Sequence, residues 1–324
     1  MSIQEQNLND KSFYNHHSWK HEDWLRIFLQ TKSMTDEQLK KKMFRFLRGS
    51  VFRANVSISN SGYYINNKGE TVQIDNSLGS SSFYSEPEVV SNELLRRELN
   101  TTFDVVNKDS IDAAEDLIMA GLCPAVLIMA CEDGPGGGVI GGCYGQEEGL
   151  FRRTDLFRYM YPYCKHAKEY GVEESVYQYP LDKCFGGVYV HDALVFRDVE
   201  NTGYMLKDSP LRMSFIAVPA IREPILTKDG LLNPYDTEIT LNKIRTIFRL
   251  GLNNGHDSLV LGAWGCGIFK NPPHHIALLF KSVLEEDEFL NQFKHISFAI
   301  LEDRCSNMSH NPKGNYAPFK MVFK

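Results

Sequence analysis

The sequence predicts an α/β domain built on a largely parallel sheet that helices cover on both faces. Strand-like and helix-like segments alternate from residue 101 onward, as in folds of this class. Two of the strands, PAVLIMA at 124–130 and SLVLGAWG at 258–265, are apolar almost without interruption. Such strands are typical of a sheet that is buried on both faces. Both observations therefore favour the same α/β fold.

An N-terminal extension of helices and a hairpin is predicted to precede this domain. Apolar residues recur at helical spacing in 24–30 and again in 36–49. The segment GYYINNKGETVQI at 62–74 consists of two β-rich runs around Asn-Asn-Lys-Gly, which is a hairpin signal. We therefore divide the chain into an extension at 1–95 and the α/β domain at 96–324.

The end signals of the helices are local. Gly49 is a candidate end for the second helix of the extension, and a short helix is predicted at 92–99. Asp109 or Ser110 is a candidate N-cap, and Gly121 a candidate stop, for the first helix of the α/β domain. The predicted strands of that domain are 101–107, 124–130, 188–198, 212–220, 258–265 and 293–303. Its predicted helices are 109–122, 146–160, 238–255 and 275–284.

Composition and charge exclude several classes of protein. A net charge of −6 and a pI near 5.9 argue against nonspecific nucleic-acid binding, which needs a large basic field. No apolar stretch reaches the roughly eighteen residues of a membrane span, and the first residues lack a signal-peptide core. The seven cysteines are odd in number and include no CxxC pair, so we expect free thiols in an intracellular, cytoplasmic protein (or a nuclear one in a eukaryote). We expect a monomer.

Two glycine-rich loops follow buried strands. The first lies in GPGGGVIGGCYGQEE at 134–148, and the second contains Gly262, Gly265 and Gly267. Open α/β sheets bind ligands at the carboxyl ends of their strands, and glycine lets backbone N–H groups approach a phosphate closely. Two such loops suggest a ligand with a pyrophosphate, although glycines that only form tight turns remain an alternative. Arg152-Arg153 is a basic spot that could also hold an anionic ligand.

Known phosphate motifs narrow the class of site. The sequence contains no GxxxxGK[ST], which excludes a P-loop nucleotide hydrolase. Gly136 to Gly141 formally fit GxGxxG after a strand. However, a Rossmann fold also needs a second strand that ends in an acidic residue about twenty residues later. That region reads FRYMYPYCKH, so a Rossmann oxidoreductase is kept only as a rival class.

Glu147 and Glu148 suggest acid–base chemistry with a single acid. Most glycosidases place two carboxylates across the scissile bond, roughly 5 to 9.5 Å apart. Adjacent residues of a helix point in different directions and cannot flank one bond in that way. One carboxylate could face the ligand while the other is anchored or holds a hydroxyl. The alternative is that both acids only complement the dipole of a helix N-terminus.

The segment from Gly136 to Glu148 resembles the signature of the microbial-type poly(ADP-ribose) glycohydrolases, which are macrodomain proteins. It consists of GGG, seven residues and QEE. Other segments are similar to that family in the correct order, over about residues 60–303. They are GYYINNKGETVQI, FDVVNKDSIDAAEDL, HDALVFRD, LVLGAWGCGIFKNPP and FAILED. The resemblance implies a three-layer α/β/α macrodomain-like fold with a mixed sheet at 96–324, and the extension before it.

The resemblance also assigns roles to single residues. Glu148 would be the catalytic acid that works on the ribose–ribose O-glycosidic bond of poly(ADP-ribose), and Glu147 would hold the terminal ribose. The triple glycine would wrap that ribose and the diphosphate, residues 265–268 would supply backbone donors to the diphosphate, and Phe269 would pack on a ribose. The implied ligand-binding residues are Gly136, Gly137, Gly138, Gln146, Gly265, Cys266, Gly267, Ile268 and Phe269. The implied partners are ADP-ribose or poly(ADP-ribose), and ADP-ribosylated protein. No cofactor or metal is implied.

Some positions depart from the family pattern. Ile128 stands where the family has an asparagine that would hydrogen-bond the ribose, and Glu132-Asp133 stand where it has Ala-Lys. Two alternatives to polymer hydrolysis therefore stay open. One is a hydrolase for mono-ADP-ribosylated protein, and the other is an ADP-ribose-binding macrodomain without activity.

Overall fold

The computed structural model describes residues 19–91, 93–95, 99–302 and 306–323. Its helices are α1 (His21–Lys32), α2 (Glu37–Ser61), α3 (Ser110–Met119), α4 (Gln146–Arg153), α5 (Phe157–Met160), α6 (Pro234–Asn253), α7 (Pro273–Leu284) and α8 (Tyr316–Val322). Its strands are β1 (Tyr63–Ile65), β2 (Thr71–Gln73), β3 (Ser80–Tyr84), β4 (Thr102–Val106), β5 (Pro124–Met129), β6 (Gly187–Arg197), β7 (Leu206–Val218), β8 (Ser258–Leu261) and β9 (His295–Ala299). Within these described ranges, no helix has the length and apolar character needed to cross a bilayer.

Two compact units make up the chain, and each is built from several segments. Unit 1 comprises the described residues up to Ser81, Asp133–Tyr179 and Val190–Met213. Unit 2 comprises Ser82–Glu132, Pro180–Tyr189 and the described residues from Ser214 onward. The division into an extension at 1–95 and a catalytic domain at 96–324 stays a prediction, since it concerns a different partition of the chain.

A seven-stranded mixed sheet confirms the predicted α/β class. Its strand order is β3-β6-β7-β5-β8-β9-β4. Parallel pairing joins β7 to β5, β5 to β8, β8 to β9 and β9 to β4. Every residue of β8 is buried, as are all residues of β5 except Met129. This burial accounts for the unbroken apolar character of both strands.

Unit 2 has a core of aliphatic and aromatic side chains around its parallel strands. Helix α6 begins after Asn233, whose side chain accepts a hydrogen bond from the Asp236 amide and so satisfies one free N–H of the first turn. The C-terminal helix α8 was not predicted from the sequence. Its Phe319 is fully buried and its ring lies 5.3 Å from that of Phe298. Burial of one such ring contributes about 2 kcal/mol.

Helix α2 of unit 1 is longer than the sequence predicted. The expected end at Gly49 is wrong, because the helix continues to Ser61 and ends at Gly62, which has a positive φ of 77°. Gly49 itself lies in a buried turn of the helix, where its missing side chain allows close contact with Arg53 and the Ile140 carbonyl. The buried positions that follow Gly49 keep helical spacing, so tertiary packing extends the helix through a residue of low helix propensity.

The predicted hairpin is confirmed in unit 1. Strands β1 and β2 pair antiparallel with Tyr63 opposite Gln73. Gly69 has a φ of 79°, which favours glycine, and its N–H donates to the Asn66 carbonyl at 3.0 Å. The predicted short helix at 92–99 falls partly outside the described residues.

The predicted helix 146–160 is interrupted. Helix α4 ends at Arg153, and the extended Thr154 forms an antiparallel bridge with Val195 of strand β6. The Asp155 amide donates to the Leu194 carbonyl at 3.2 Å, and the Leu194 amide donates to Asp155 Oδ1 at 2.7 Å. These two bonds compete with helix continuation, which explains why a helical pattern in the sequence becomes two helices.

Asn55 on α2 organises this interruption. Its Nδ2 donates to the carbonyls of Arg152 (2.7 Å) and Phe151 (3.2 Å), at the end of α4. Its Oδ1 accepts from Arg197 Nε at 2.5 Å. Arg197 is fully buried, and this burial lowers its pKa to about 9. One amide side chain thus satisfies both the last carbonyls of α4 and a buried guanidinium.

Replacing Asn55 with alanine should lower the free energy of unfolding by about 3 kcal/mol. The variant leaves buried carbonyls and a buried charge without this partner. Asn60 on the same helix is exposed and also hydrogen-bonds through its side chain, so Asn60→Ala is a matched control expected to cost below about 1 kcal/mol. Urea unfolding of both variants measures the difference. Equal losses would contradict the role given to Asn55.

The carboxyl of Asp155 should make stability depend on pH. Complete burial raises its pKa from 3.8 to about 7. The folded state holds this proton more tightly than the unfolded chain does. The contribution of Asp155 to the free energy of unfolding is therefore full below pH 3.8 and is lost as the pH rises through 7. Asp155→Asn should therefore gain roughly 3 kcal/mol relative to the wild type between pH 5 and 8. Urea unfolding at several pH values tests this, and a constant difference would refute it.

Candidate active site

The glycine loop, residues 134–145 of unit 1, is a series of tight turns. The Val139 amide donates to the Gly136 carbonyl, the Gly142 amide to Val139, and the Cys143 amide to Gly138, each at 3.0 Å. Gly136 and Gly137 have φ values of 77° and 52°, which disfavour other residues. The predicted GxGxxG does not lead directly into a helix, because α4 begins only at Gln146.

The loop closes onto the first turn of α4 through the two glutamates. The Gly136 amide donates to Glu147 Oε1 at 2.9 Å, and the Gly138 amide donates to Glu148 Oε1 at 3.0 Å. Glu147 is only 4% exposed, whereas Glu148 is half-buried. The adjacent carboxylates thus have different environments, since Glu147 is anchored inside unit 1 and Glu148 is partly exposed.

Gly137 lies between the two carboxylates. A Cβ at this position would lie 2.8 Å from Glu148 Oε1 and 3.0 Å from Glu147 Oε2. A Cβ at Gly145 would overlap Glu148 Oε2. Glycine at both positions is therefore needed for the carboxylates to pack against the backbone, a use that differs from the phosphate contact expected from the sequence. Within the described residues, the Gly137 N–H has no acceptor and remains available to a ligand.

An aromatic cluster supports the loop and α4 from within unit 1. The Phe151 ring contacts Gly136, where a Cβ would lie 2.9 Å from the ring carbons. Phe52 and Tyr161 pack against Phe151 with ring centroids 6.5 and 6.0 Å apart. Burial raises the pKa of the Tyr161 phenol, and the charge of Glu147 adds to this shift. The carboxylate of Glu147 therefore lies close to buried aromatic rings.

Arg152 connects α4 to the glycine loop. It follows Glu148 by one helical turn, is 1% exposed, and donates from Nη1 to the Cys143 carbonyl at 2.8 Å and from Nε to Tyr204 Oη at 2.9 Å. Arg153 is 3% exposed and donates to the Arg197 carbonyl. The hypothesis that this pair holds an anionic ligand is wrong, because both guanidinium groups are buried and serve the fold.

Helix α2 packs against the other side of the glycine loop. Gly142, with φ of 68°, approaches the Arg45 carbonyl so closely that a Cβ would overlap it. The Arg48 guanidinium lies 4.9 Å from the Tyr144 ring centroid and forms an ion pair with Glu200 at 2.6 Å. Helix α2 therefore helps to position the loop.

The 262–270 loop follows strand β8 in unit 2. Gly265 has a φ of 74°, and a Cβ there would lie 2.5 Å from Ala220 Cβ. The buried amide of Asn271 holds the loop, donating to Ile221 and Gly265 carbonyls at 2.7 and 3.0 Å. The Cys266 amide already donates to the Ala263 carbonyl at 3.0 Å.

Three consecutive amides of this loop remain available. Among the described residues, the N–H groups of Gly267, Ile268 and Phe269 have no hydrogen-bond acceptor. Successive free amides form a concave site that favours anions. The predicted donors Gly267 and Ile268 are therefore placed together, whereas Cys266 uses its N–H within the loop. The face of Phe269 is occupied by the Arg222 guanidinium, 4.6 Å from the ring centroid.

The cysteines and histidines of the two loops have structural positions. Cys266 is fully buried, and burial raises the pKa of its thiol, which disfavours the nucleophilic thiolate. The six described cysteines form no disulfide bonds, and Cys305 lies outside the described residues. His275 lies in the first turn of α7, where its Nδ1 accepts from the Leu232 amide at 3.0 Å. Ile128 is fully buried in β5.

The structural roles of several residues that shape the site were not predicted from the sequence. Arg152 had a signal, since a residue four positions after Glu148 on a helix lies on the same face. No local sequence signal predicted Asn55 or Tyr204, because their contacts are distant in sequence. Asn55 contacts a residue about a hundred positions away, and Tyr204 one about fifty positions away. Gln146 begins α4, and its predicted ligand role stays a prediction.

The sequence and the fold are similar to one group of known proteins. Residues 53–198 match the family described as microbial-type PARG, catalytic domain. A poly(ADP-ribose) glycohydrolase from Thermomonospora curvata, bound to the inhibitor ADP-HPD, matches with a TM-score of 0.64 and 26% identity, covering 85% of this chain and 99% of that one. A poly(ADP-ribose) glycohydrolase from Deinococcus radiodurans in complex with ADP-ribose matches with a TM-score of 0.54 and 26% identity, covering 72% and 89%. No curated protein matches the sequence.

Gly137→Ala should destabilise the protein by about 1–3 kcal/mol. The change forces alanine into a left-handed conformation and pushes its Cβ against both carboxylates. Gly134→Ala in the same loop is the matched control, since a Cβ there meets no atom within 4 Å and its φ is not positive. Denaturant unfolding compares the two variants. A stable Gly137→Ala protein would show that the carboxylates are not held against the loop as described.

Proposed function

We infer that this chain, which belongs to the microbial-type poly(ADP-ribose) glycohydrolase family, hydrolyses the ribose–ribose O-glycosidic bonds of poly(ADP-ribose) and releases ADP-ribose, with Glu148 as general acid and base. The match to the family and the likeness to solved glycohydrolases support the reaction. The different environments of Glu147 and Glu148 support the assignment of the acid.

The single observation that carries this assignment is the closure of the glycine loop. Glu147 is buried and fixed by the Gly136 amide, so it is the anchored member of the pair. Glu148 is oriented by the Gly138 amide through one oxygen and remains half-exposed. A general acid needs a fixed orientation, because its proton must reach the leaving oxygen in one direction. It also needs exposure, because the substrate must be able to contact it.

The proposed reaction uses Glu148 twice. As an acid, it protonates the oxygen that leaves C1″ of the ribose, and the C–O bond breaks toward an oxocarbenium-like state. The resulting carboxylate then removes a proton from water as that water attacks C1″, which restores the acid. Glu147 is anchored by the Gly136 amide and is 4% exposed, so the ribose contact that the resemblance implies for it stays a prediction.

The free amides of the 262–270 loop support a diphosphate-binding role for Gly267 and Ile268. Backbone donors suit this ligand because two phosphate groups present several acceptor oxygens. The predicted roles of Gly265 and Phe269 stay predictions, whereas the Cys266 amide already donates to the Ala263 carbonyl.

Glu148→Gln tests the acid. Glutamine keeps the carbonyl oxygen that accepts the Gly138 amide but cannot donate the proton. We expect kcat for ADP-ribose release from poly(ADP-ribose) to fall by about 10²–10⁴-fold, while the Kd for ADP-ribose changes little. Gly149→Ala, next to Glu148 on α4, is the matched control, since a Cβ there meets no atom within 4 Å.

Two substrates distinguish the alternatives in the same assay. Release from the polymer by the wild type, lost in Glu148→Gln, supports the proposed reaction and its acid. Release only from mono-ADP-ribosylated protein would assign the enzyme to that substrate instead. ADP-ribose binding without release from either substrate would identify a binding protein, and an active Glu148→Gln would remove this residue from the mechanism.

A further inference from the structure

We propose that His310 is a positioning residue for diphosphate binding and that it acts through the peptide bond between Cys266 and Gly267. This inference rests on the proposed function and concerns unit 2 alone. His310 lies in the C-terminal segment 306–323.

The contact that carries the proposal is a hydrogen bond to the loop backbone. His310 Nε2 lies 2.8 Å from the Cys266 carbonyl oxygen. A carbonyl can only accept, so this ring nitrogen carries the proton, as it does in one neutral tautomer and in the imidazolium. Asn311 Nδ2 approaches the same oxygen at 3.4 Å, which gives the carbonyl a second, weaker donor.

The geometry of the peptide bond transmits this contact to the ligand side. A trans peptide is planar, and its C=O and N–H point in opposite directions. The carbonyl of Cys266 and the amide of Gly267 belong to one such unit. By holding the carbonyl toward the C-terminal segment, His310 directs the Gly267 N–H away from it. That N–H is the first of the three amides without an acceptor in the described part of the chain.

The C-terminal segment is itself held firmly enough to act as a support. Asn311 is 2% exposed and donates to Asn315 Oδ1 at 2.7 Å. The Asn315 amide donates to Glu302 Oε1 at 3.0 Å. Phe319 of α8 is fully buried in the core of unit 2. The imidazole therefore projects from an anchored backbone, and its hydrogen bond restricts rotation of the 266–267 peptide.

Other hydrogen bonds of the loop fix the peptide bonds on either side of the Cys266–Gly267 peptide, whose orientation therefore depends on His310. The Gly267 carbonyl accepts from the Lys270 amide, and the Gly265 carbonyl accepts from the Asn271 amide, both at 3.0 Å. These bonds hold the peptides on either side. Without His310, the longer contact from Asn311 would be the one described side-chain contact that holds the Cys266 carbonyl. The Gly267 N–H would then be oriented less uniformly before the ligand arrives.

Three variants test the proposal in the full-length protein. His310→Ala removes the donor. His310→Gln supplies an amide N–H of similar reach and should restore function. His274→Ala, an exposed histidine on α7, is the matched control. We expect His310→Ala to raise KM for poly(ADP-ribose) and Kd for ADP-ribose by about 10-fold, with kcat nearly unchanged, and His310→Gln and His274→Ala to stay near the wild type.

Adenosine binding distinguishes a positioning role of His310 from general damage to the binding site. Adenosine lacks the diphosphate, so its Kd should not change in His310→Ala. The proposal would be overturned if His310→Ala lost ADP-ribose and adenosine affinity equally, or if kcat fell instead of KM rising. It would also be overturned if His310→Gln did not restore function, or if His310→Ala behaved like the wild type. A wild type that neither binds ADP-ribose nor cleaves the polymer would instead overturn the proposed function, and this inference with it.

Discussion

The closing of the glycine loop onto the first turn of α4 is the constraint on which the rest of unit 1 depends. Backbone amides of the loop bind two adjacent carboxylates, one buried and one half-exposed. The contact is possible only because Gly137 and Gly145 have no side chains that would displace those carboxylates. A stretch with so many glycines has high conformational freedom in the unfolded chain, so other parts of the unit must stabilise the single folded arrangement.

Buried polar side chains provide that stabilisation. Arg152 joins the Cys143 carbonyl of the loop to Tyr204, while Asn55 joins the end of α4 to Arg197. Both are almost fully buried, where a hydrogen bond that is not made costs more than one that is made contributes. The network thus specifies one arrangement of α2, α4 and the loop. This explains how two carboxylates that pack against a glycine-rich loop can be held in fixed directions.

The 262–270 loop of unit 2 follows a different design. Its glycines and Asn271 shape the backbone so that three successive amides have no acceptor among the described residues. In the first loop, by contrast, two amides donate to the carboxylates of α4. The first loop is thereby suited to position an acid, and the second to bind an anion. Both uses follow from backbone groups, which glycine exposes and larger residues would cover.

Much of this protein is determined by local pattern. The α/β class, the hairpin at 62–74, and most strands and helices follow from the spacing of apolar residues and from local turn signals. The two glycine loops and the paired glutamates could also be located from sequence, since phosphate and carboxylate chemistry needs those residue types close together. The break at Thr154 and the continuation of α2 past Gly49 could not, because long-range contacts override local propensity at both places.

Tertiary structure alone decided which side chains are buried and which backbone groups they hydrogen-bond. Nothing local distinguishes the buried Glu147 from the half-exposed Glu148, or shows that Arg152 is an internal support instead of a ligand contact. Burial and hydrogen-bond partners depend on segments that are distant in sequence, such as Asn55 beneath α4 and His310 behind Cys266. The sequence by itself determined the fold class and the chemical groups of the site. Their orientation depended on packing, because a pattern of residue types carries no record of which distant backbone group each side chain will meet.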